Sequence, residues 1–85
     1  MEKACLTTTE IINGREPIYS ILRDDEDEWQ FFGKDEPNDD KIMVVSIDKI
    51  WKLFPDIKPL CNGLEKGFCA YRNDVNSKWL IEKYE

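Results

Sequence analysis

Residues Ile18 to Ser46 constrain the fold more than any other stretch. They read IYSILRDDEDEWQFFGKDEPNDDKIMVVS: three apolar runs held apart by two acidic connectors. Each run is too short for a helix and rich in β-formers, so the spacing predicts three strands. Five adjacent carboxylates, Asp24 to Glu28, repel one another unless they face water, which makes the first connector an exposed hairpin loop. The second, Lys34 to Asp40, holds Pro37-Asn38 and is a loop or turn.

Eighty-five residues allow a single domain, 1–85, with a thin core. Three Trp, three Tyr and four Phe supply the large side chains that such a core needs. The net charge of −6 is unevenly placed, since Asp24 to Asp40 holds nine acids and one base and the remainder is nearly neutral. Without a basic stripe to release counterions, direct nucleic-acid binding is disfavoured. The absence of a long apolar run or signal-peptide pattern leads to an expectation of no membrane span and a reducing cytoplasm. There the three cysteines, Cys5, Cys61 and Cys69, are expected to be free thiols. A Cys61–Cys69 disulfide fits their separation but not that setting.

Along the chain, Ala4 to Leu6 reads as a short strand. Thr7-Thr8-Thr9-Glu10 then supplies a capping box, with Thr7 as cap, for a brief helix ended by Asn13-Gly14. Pro17 suits the start of the strand Ile18–Arg23. Trp29 to Gly33 is the return strand, with Phe31 and Phe32 on opposite faces, which argues for a central position or for one aromatic turned to a partner. Ile42 to Val45 has the continuous apolar pattern of a strand buried on both faces. Ser46 caps the main helix, Ser46–Phe54, in which Ile47, Ile50, Trp51 and Phe54 follow helical spacing. That spacing places Trp51 in the core and leaves Trp79 undecided. Pro55, Pro59 and Asn62-Gly63 predict an irregular stretch to about Gly67. Phe68–Arg72 reads as a strand. For the last ten residues a strand, Lys78–Tyr84, is favoured over a short helix capped by Asn76 or Ser77.

No residue pattern points to catalysis. The chain has no histidine, so Ser–His and Cys–His arrangements are impossible. Cys61, before Asn62-Gly63, is the most exposed candidate nucleophile, although a small buried thiol is the plainer reading. The four glycines sit singly, with no phosphate loop, and neither acidic connector has the EF-hand spacing. No metal, cofactor or enzymatic activity is expected.

The acids have two competing readings. They are solvated loops that keep a small domain soluble, or they are half of an electrostatically steered interface. In the second reading Asp24, Asp25, Glu26, Asp27, Glu28, Asp35, Glu36, Asp39 and Asp40 steer a partner, and Trp29, with Phe31 or Tyr19 as a further aromatic, anchors it, because Trp29 follows directly on the five acids.

The order of segments also resembles a family. Trp29-Gln30-Phe31-Phe32-Gly33, Pro37-Asn38-Asp39 and Phe54-Pro55-Asp56-Ile57-Lys58-Pro59-Leu60 stand in the succession of a small bacterial domain-of-unknown-function family. That family is grouped with the immunity proteins of polymorphic toxin systems, as the immunity protein 33 type. The resemblance spans roughly Cys5 to Arg72. It departs from the family pattern at the glycine after Phe32, one spacer early, and in the loosely matching C-terminus. It implies a stoichiometric inhibitor that covers a basic toxin domain without chemistry.

The expectation is therefore one α+β domain: an antiparallel-rich sheet of about five strands, the helix Ser46–Phe54 on one face and a short N-terminal helix. Its expected function is non-catalytic protein binding, as a toxin-neutralising immunity protein. The alternative is a regulatory or accessory domain that binds a small ligand or protein.

Overall fold

The computed structural model describes residues 3–35 and 37–84. Six strands form one sheet: β1 Ala4–Thr8, β2 Ser20–Arg23, β3 Trp29–Phe32, β4 Ile42–Ser46, β5 Phe68–Tyr71 and β6 Leu80–Lys83. Their spatial order is β4-β1-β3-β2-β5-β6. Three helices, α1 Thr9–Ile12, α2 Ile47–Leu53 and α3 Lys58–Asn62, complete the α+β fold, with 3-10 turns at Asp39–Lys41 and Pro55–Ile57. The sheet of about five strands expected from the sequence is six-stranded and antiparallel-rich, with one parallel pairing, β1 with β3, that makes it mixed. β1 and β2 run in opposite directions a strand-width apart, and the acidic hairpin inserts β3 between them, parallel to β1.

Strand periodicity sorts the side chains onto two faces. Cys5, Thr7, Ile21, Trp29, Phe31 and Ala70 point to one face and are buried there. Ile11 of α1, Ile50 of α2 and Cys61 of α3 close over that face, joined by Ile57 and Leu64. Trp51 of α2 meets Trp29 and Phe31 edge-on, with ring centroids 6.4 and 6.0 Å apart, while Trp29 and Phe31 stack at 5.9 Å. Burying a side chain such as Phe31 contributes about 1.5–3 kcal/mol, so this aromatic group is a large share of a thin core.

Four details differ from the sequence reading. The cap of α1 is Thr8, whose Oγ1 accepts from the Ile11 amide at 3.3 Å. Thr7, the expected cap, remains in β1 because its side chain falls on the buried parity, and Glu10 pairs instead with Lys41 at 3.1 Å. β4 is not buried on both faces: it is a sheet edge, and Val44 is 66% exposed. An uninterrupted apolar run serves there because one parity faces the core and the other an uncovered apolar face.

The segment after α2 is more regular than its prolines imply. Pro59 sits in the first turn of α3, where no intrahelical amide is lost, and Ile57, Cys61 and Leu64 keep a helical spacing into the core. Cys61 is only 2% exposed for that reason, which agrees with the plainer reading of a small buried thiol. The strand reading of the C-terminus is correct, as β6.

Candidate functional site: the acidic loops and the open sheet face

The five-acid loop is an ordered turn. Asp24 ties it off: its amide donates to Glu28 O at 3.0 Å, and its Oδ1 accepts from the amides of Glu26 and Glu28, both at 2.9 Å. Asp27 adopts φ 65°, a left-handed conformation that Asp tolerates better than most residues. Its carboxylate lies between Lys3 Nζ at 2.5 Å and Arg23 Nε at 2.6 Å. Hydrogen bonds from those two cations hold the Asp27 carboxyl down at about 2. Arg23 also donates to Leu64 O and lies 5.2 Å over the Trp29 ring, which fastens the loop to the end of α3 and to the core. Gly67, at φ 81°, donates its amide to Arg23 O, and a Cβ there would strike Asp25 Oδ1.

Asp24 and Asp27 are thus built into the turn, whereas Asp25, Glu26 and Glu28 are exposed and free to meet a partner. Trp29 does not present the free aromatic face expected of an anchor. At 7% exposed it belongs to the core, because the odd-numbered parity of β3 faces the helices. In the second connector Asp35, Asp39 and Asp40 are exposed, and Glu36 lies outside the described residues. A polar hollow of about 180 Å³ lies beside it, lined by Glu10, Glu16, Asp35, Asn38 and Lys41 among others.

The two connectors do not form one patch. They leave opposite ends of β3, and four extended residues separate them by roughly 13 Å at about 3.3 Å each. What lies between them is the uncovered sheet face, formed by Leu6, Val44, Gln30, Phe32, Leu22, Cys69, Tyr71 and Leu80, none of them buried. Two shallow hollows mark it. One, of about 250 Å³, is lined by Ala4, Leu6, Glu28, Trp29, Gln30 and Val44 among others. The other, of about 280 Å³, is lined chiefly by Leu22, Gln30, Phe32, Cys69, Tyr71 and Tyr84. Gln30 separates the two, and Glu28 brings acidity to the rim of the first. Sequence reasoning missed this face as a whole. The available signal was that neighbouring residues of both parities are apolar, as in Ile21-Leu22, Phe31-Phe32 and Val44-Val45.

The thiols are all free, and none is activated. Burial pushes Cys5 up to about 11 and Cys61 up to about 12. Cys69 is also raised, first by burial and then by the Glu82 carboxylate. Nucleophilic cysteines need the opposite shift. Glu82 in addition accepts from the Tyr71 hydroxyl at 2.8 Å, which raises that phenol. Among the described residues no group of three or more His, Cys, Asp or Glu side chains is placed to hold a metal ion, and no helix is long and apolar enough to cross a membrane.

In comparisons with known proteins, no family model matches the chain, and neither a curated protein nor a solved structure matches it.

Proposed function

We propose that this chain is a non-catalytic binding protein that docks on a protein partner through the open face of its sheet. The observation that carries this reading is the sheet face of Leu6, Leu22, Phe32, Val44 and Leu80, interrupted by Gln30 and Ser20 and left without a helix to cover it, with Val44 and Leu80 exposed and the other three half-buried. Small proteins seldom leave such a surface to water unless something binds there. Acidic side chains at both ends, Asp25, Glu26 and Glu28 on one side and Asp35, Asp39 and Asp40 on the other, favour a basic partner and speed its approach. The resemblance of the Trp29–Gly33 and Phe54–Leu60 blocks to immunity proteins supports a narrower form of the reading, in which a toxin domain is neutralised by occlusion. In that form the open face takes over the anchoring role that sequence assigned to Trp29.

The test is capture of partners at low salt by three baits, followed by measured binding rates for what is captured. The baits are the native chain, an Asp25→Asn/Glu26→Gln/Glu28→Gln variant and a Leu22→Thr/Val44→Thr variant. A basic protein held by the native chain, lost from the face variant and bound more slowly by the acid variant is the expected result. The same proteins on all three baits would remove the proposal. A second reading, a regulatory domain for a small ligand, draws on the hollow beside Trp29 and Gln30, which is just below the usual size of a ligand pocket. A bound metabolite would raise the melting temperature without salt dependence.

A further inference from the structure

We infer that two copies of this chain pair edge to edge through β6, which makes one continuous sheet across a two-fold axis. The inference does not depend on the identity of any other partner. Among the described residues β6 is the last strand, with β5 as its one neighbour, and all four of its residues are exposed. Leu80 is 50% and Ile81 52% exposed although they point to opposite faces, so neither the helices nor the rest of the sheet covers this strand.

The backbone of β6 has an unused side. Tyr84 N donates to Gly67 O at 2.8 Å, and the register runs from there through Cys69↔Glu82 to Tyr71↔Leu80. Antiparallel strands alternate bonded and non-bonded pairs, so the amides and carbonyls of Leu80 and Glu82 turn toward β5. Those of Ile81 and Lys83 turn outward. A second β6 in antiparallel orientation must bond through the same outward set.

Any register centred on a residue satisfies that parity, and charge separates those centred on Leu80, Ile81 and Glu82. With the pairing continued back over Lys78 and Trp79, which directly precede β6, a register centred on Leu80 sets Leu80 against Leu80 and Lys78 of each copy against Glu82 of the other, with Trp79 opposite Ile81. Lys78 and Glu82 fall at non-bonded positions, where opposed side chains come closest. Pairing centred on Ile81 sets Glu82 against Leu80, and the next register sets Glu82 against Glu82. Only the first matches charge with charge and apolar with apolar. Glu82 can serve in it because Tyr71 occupies one carboxylate oxygen, Oε1, and leaves the other open. The opposite sheet edge is less suited, since the Ile42 amide of β4 is already donated to Asp39 O and β4 carries no charge to fix a register.

Sedimentation equilibrium on the native chain tests the inference, with an expected mass twice the 10.1 kDa of the monomer. Glu82→Lys and Lys78→Glu should each raise the dissociation constant about tenfold or more, because each creates two like-charge contacts, and the double reversal should restore native affinity. Ile81→Pro should abolish the dimer while circular dichroism stays native, because the amide it removes is not bonded to β5. A native chain that stays at 10.1 kDa up to millimolar concentration overturns the inference. So does a double reversal as weak as the single variants, or a dimer that yields to Val44→Lys on the other edge and not to the β6 changes.

Discussion

The two faces of the sheet are built from similar residues and do different work. On the covered face Ile21, Trp29, Phe31 and Ala70 are shut off from water by α2 and α3. On the other, Leu22, Gln30, Phe32 and Cys69 stand one residue along the same strands with no layer above them. Three helices are too few and too short to cover both sides of a six-stranded sheet. The comparison teaches that hydrophobicity alone does not identify a core. What separates the faces is which parity the helices reach.

Paired substitutions break or sharpen this contrast. Phe31→Ala should cost about 3–5 kcal/mol in urea unfolding, most of the stability of a domain this small, while its neighbour Phe32→Ala should cost about 1 kcal/mol. Equal losses would mean that the open face is covered after all.

Thiol labelling reads the same contrast kinetically. Cys69 should react in the native state, and Cys5 and Cys61 only as fast as the protein opens. The raised values of Cys5 and Cys61 have a thermodynamic consequence as well. An unfolded thiol ionises near 9 and the buried ones do not, so stability falls as pH rises from about 9 through the folded values of about 11 and 12. Replacing both with Ala should remove that alkaline loss.

Asp27 connects the faces to the acidic turn. Asp27→Asn, which keeps the left-handed backbone acceptable, should cost about 1 kcal/mol at pH 7, a modest figure because the ion pairs are partly open to solvent. Its carboxyl is lower when folded than when unfolded. The difference between variant and native chain should therefore be full above about 4 and disappear as pH falls to about 2. Acid titration followed by circular dichroism checks it. The smallest effect belongs to Asp25→Asn/Glu26→Gln/Glu28→Gln, which should move stability by no more than about 0.5 kcal/mol while flattening the salt dependence of partner binding.

Much of the fold was legible in the chain. The acidic connector had to be a hairpin, because five carboxylates cannot be buried. Ser46 capped α2, its Oγ accepting from the Asp48 amide at 3.2 Å, because a hydroxyl before an apolar run at helical spacing satisfies an otherwise free amide. The candidate site was less legible. Asp24 and Asp27 read as two more surface acids, since nothing in Arg23-Asp24-Asp25-Glu26-Asp27 says that Lys3 will reach across from the start of β1. Trp29 read as an anchor because its acidic neighbours are local in sequence, while Phe31 and Trp51, which enclose it, belong to the fold.

The local features legible in the chain by itself were the six strands, the Ser46 cap, the acidic turn and the gathering of charge in two connectors, though not the α1 cap or α3. Those follow from propensity and repulsion among residues close in the chain. Only the tertiary structure decided the non-local ones. The insertion of β3 between β1 and β2 placed the connectors at opposite ends of a strand. The placing of every helix on one parity made Trp29 core, left Leu22 and Phe32 half-buried and left Val44 to water. A residue's partner across the sheet depends on strand order, and strand order is set by the packing of the whole domain.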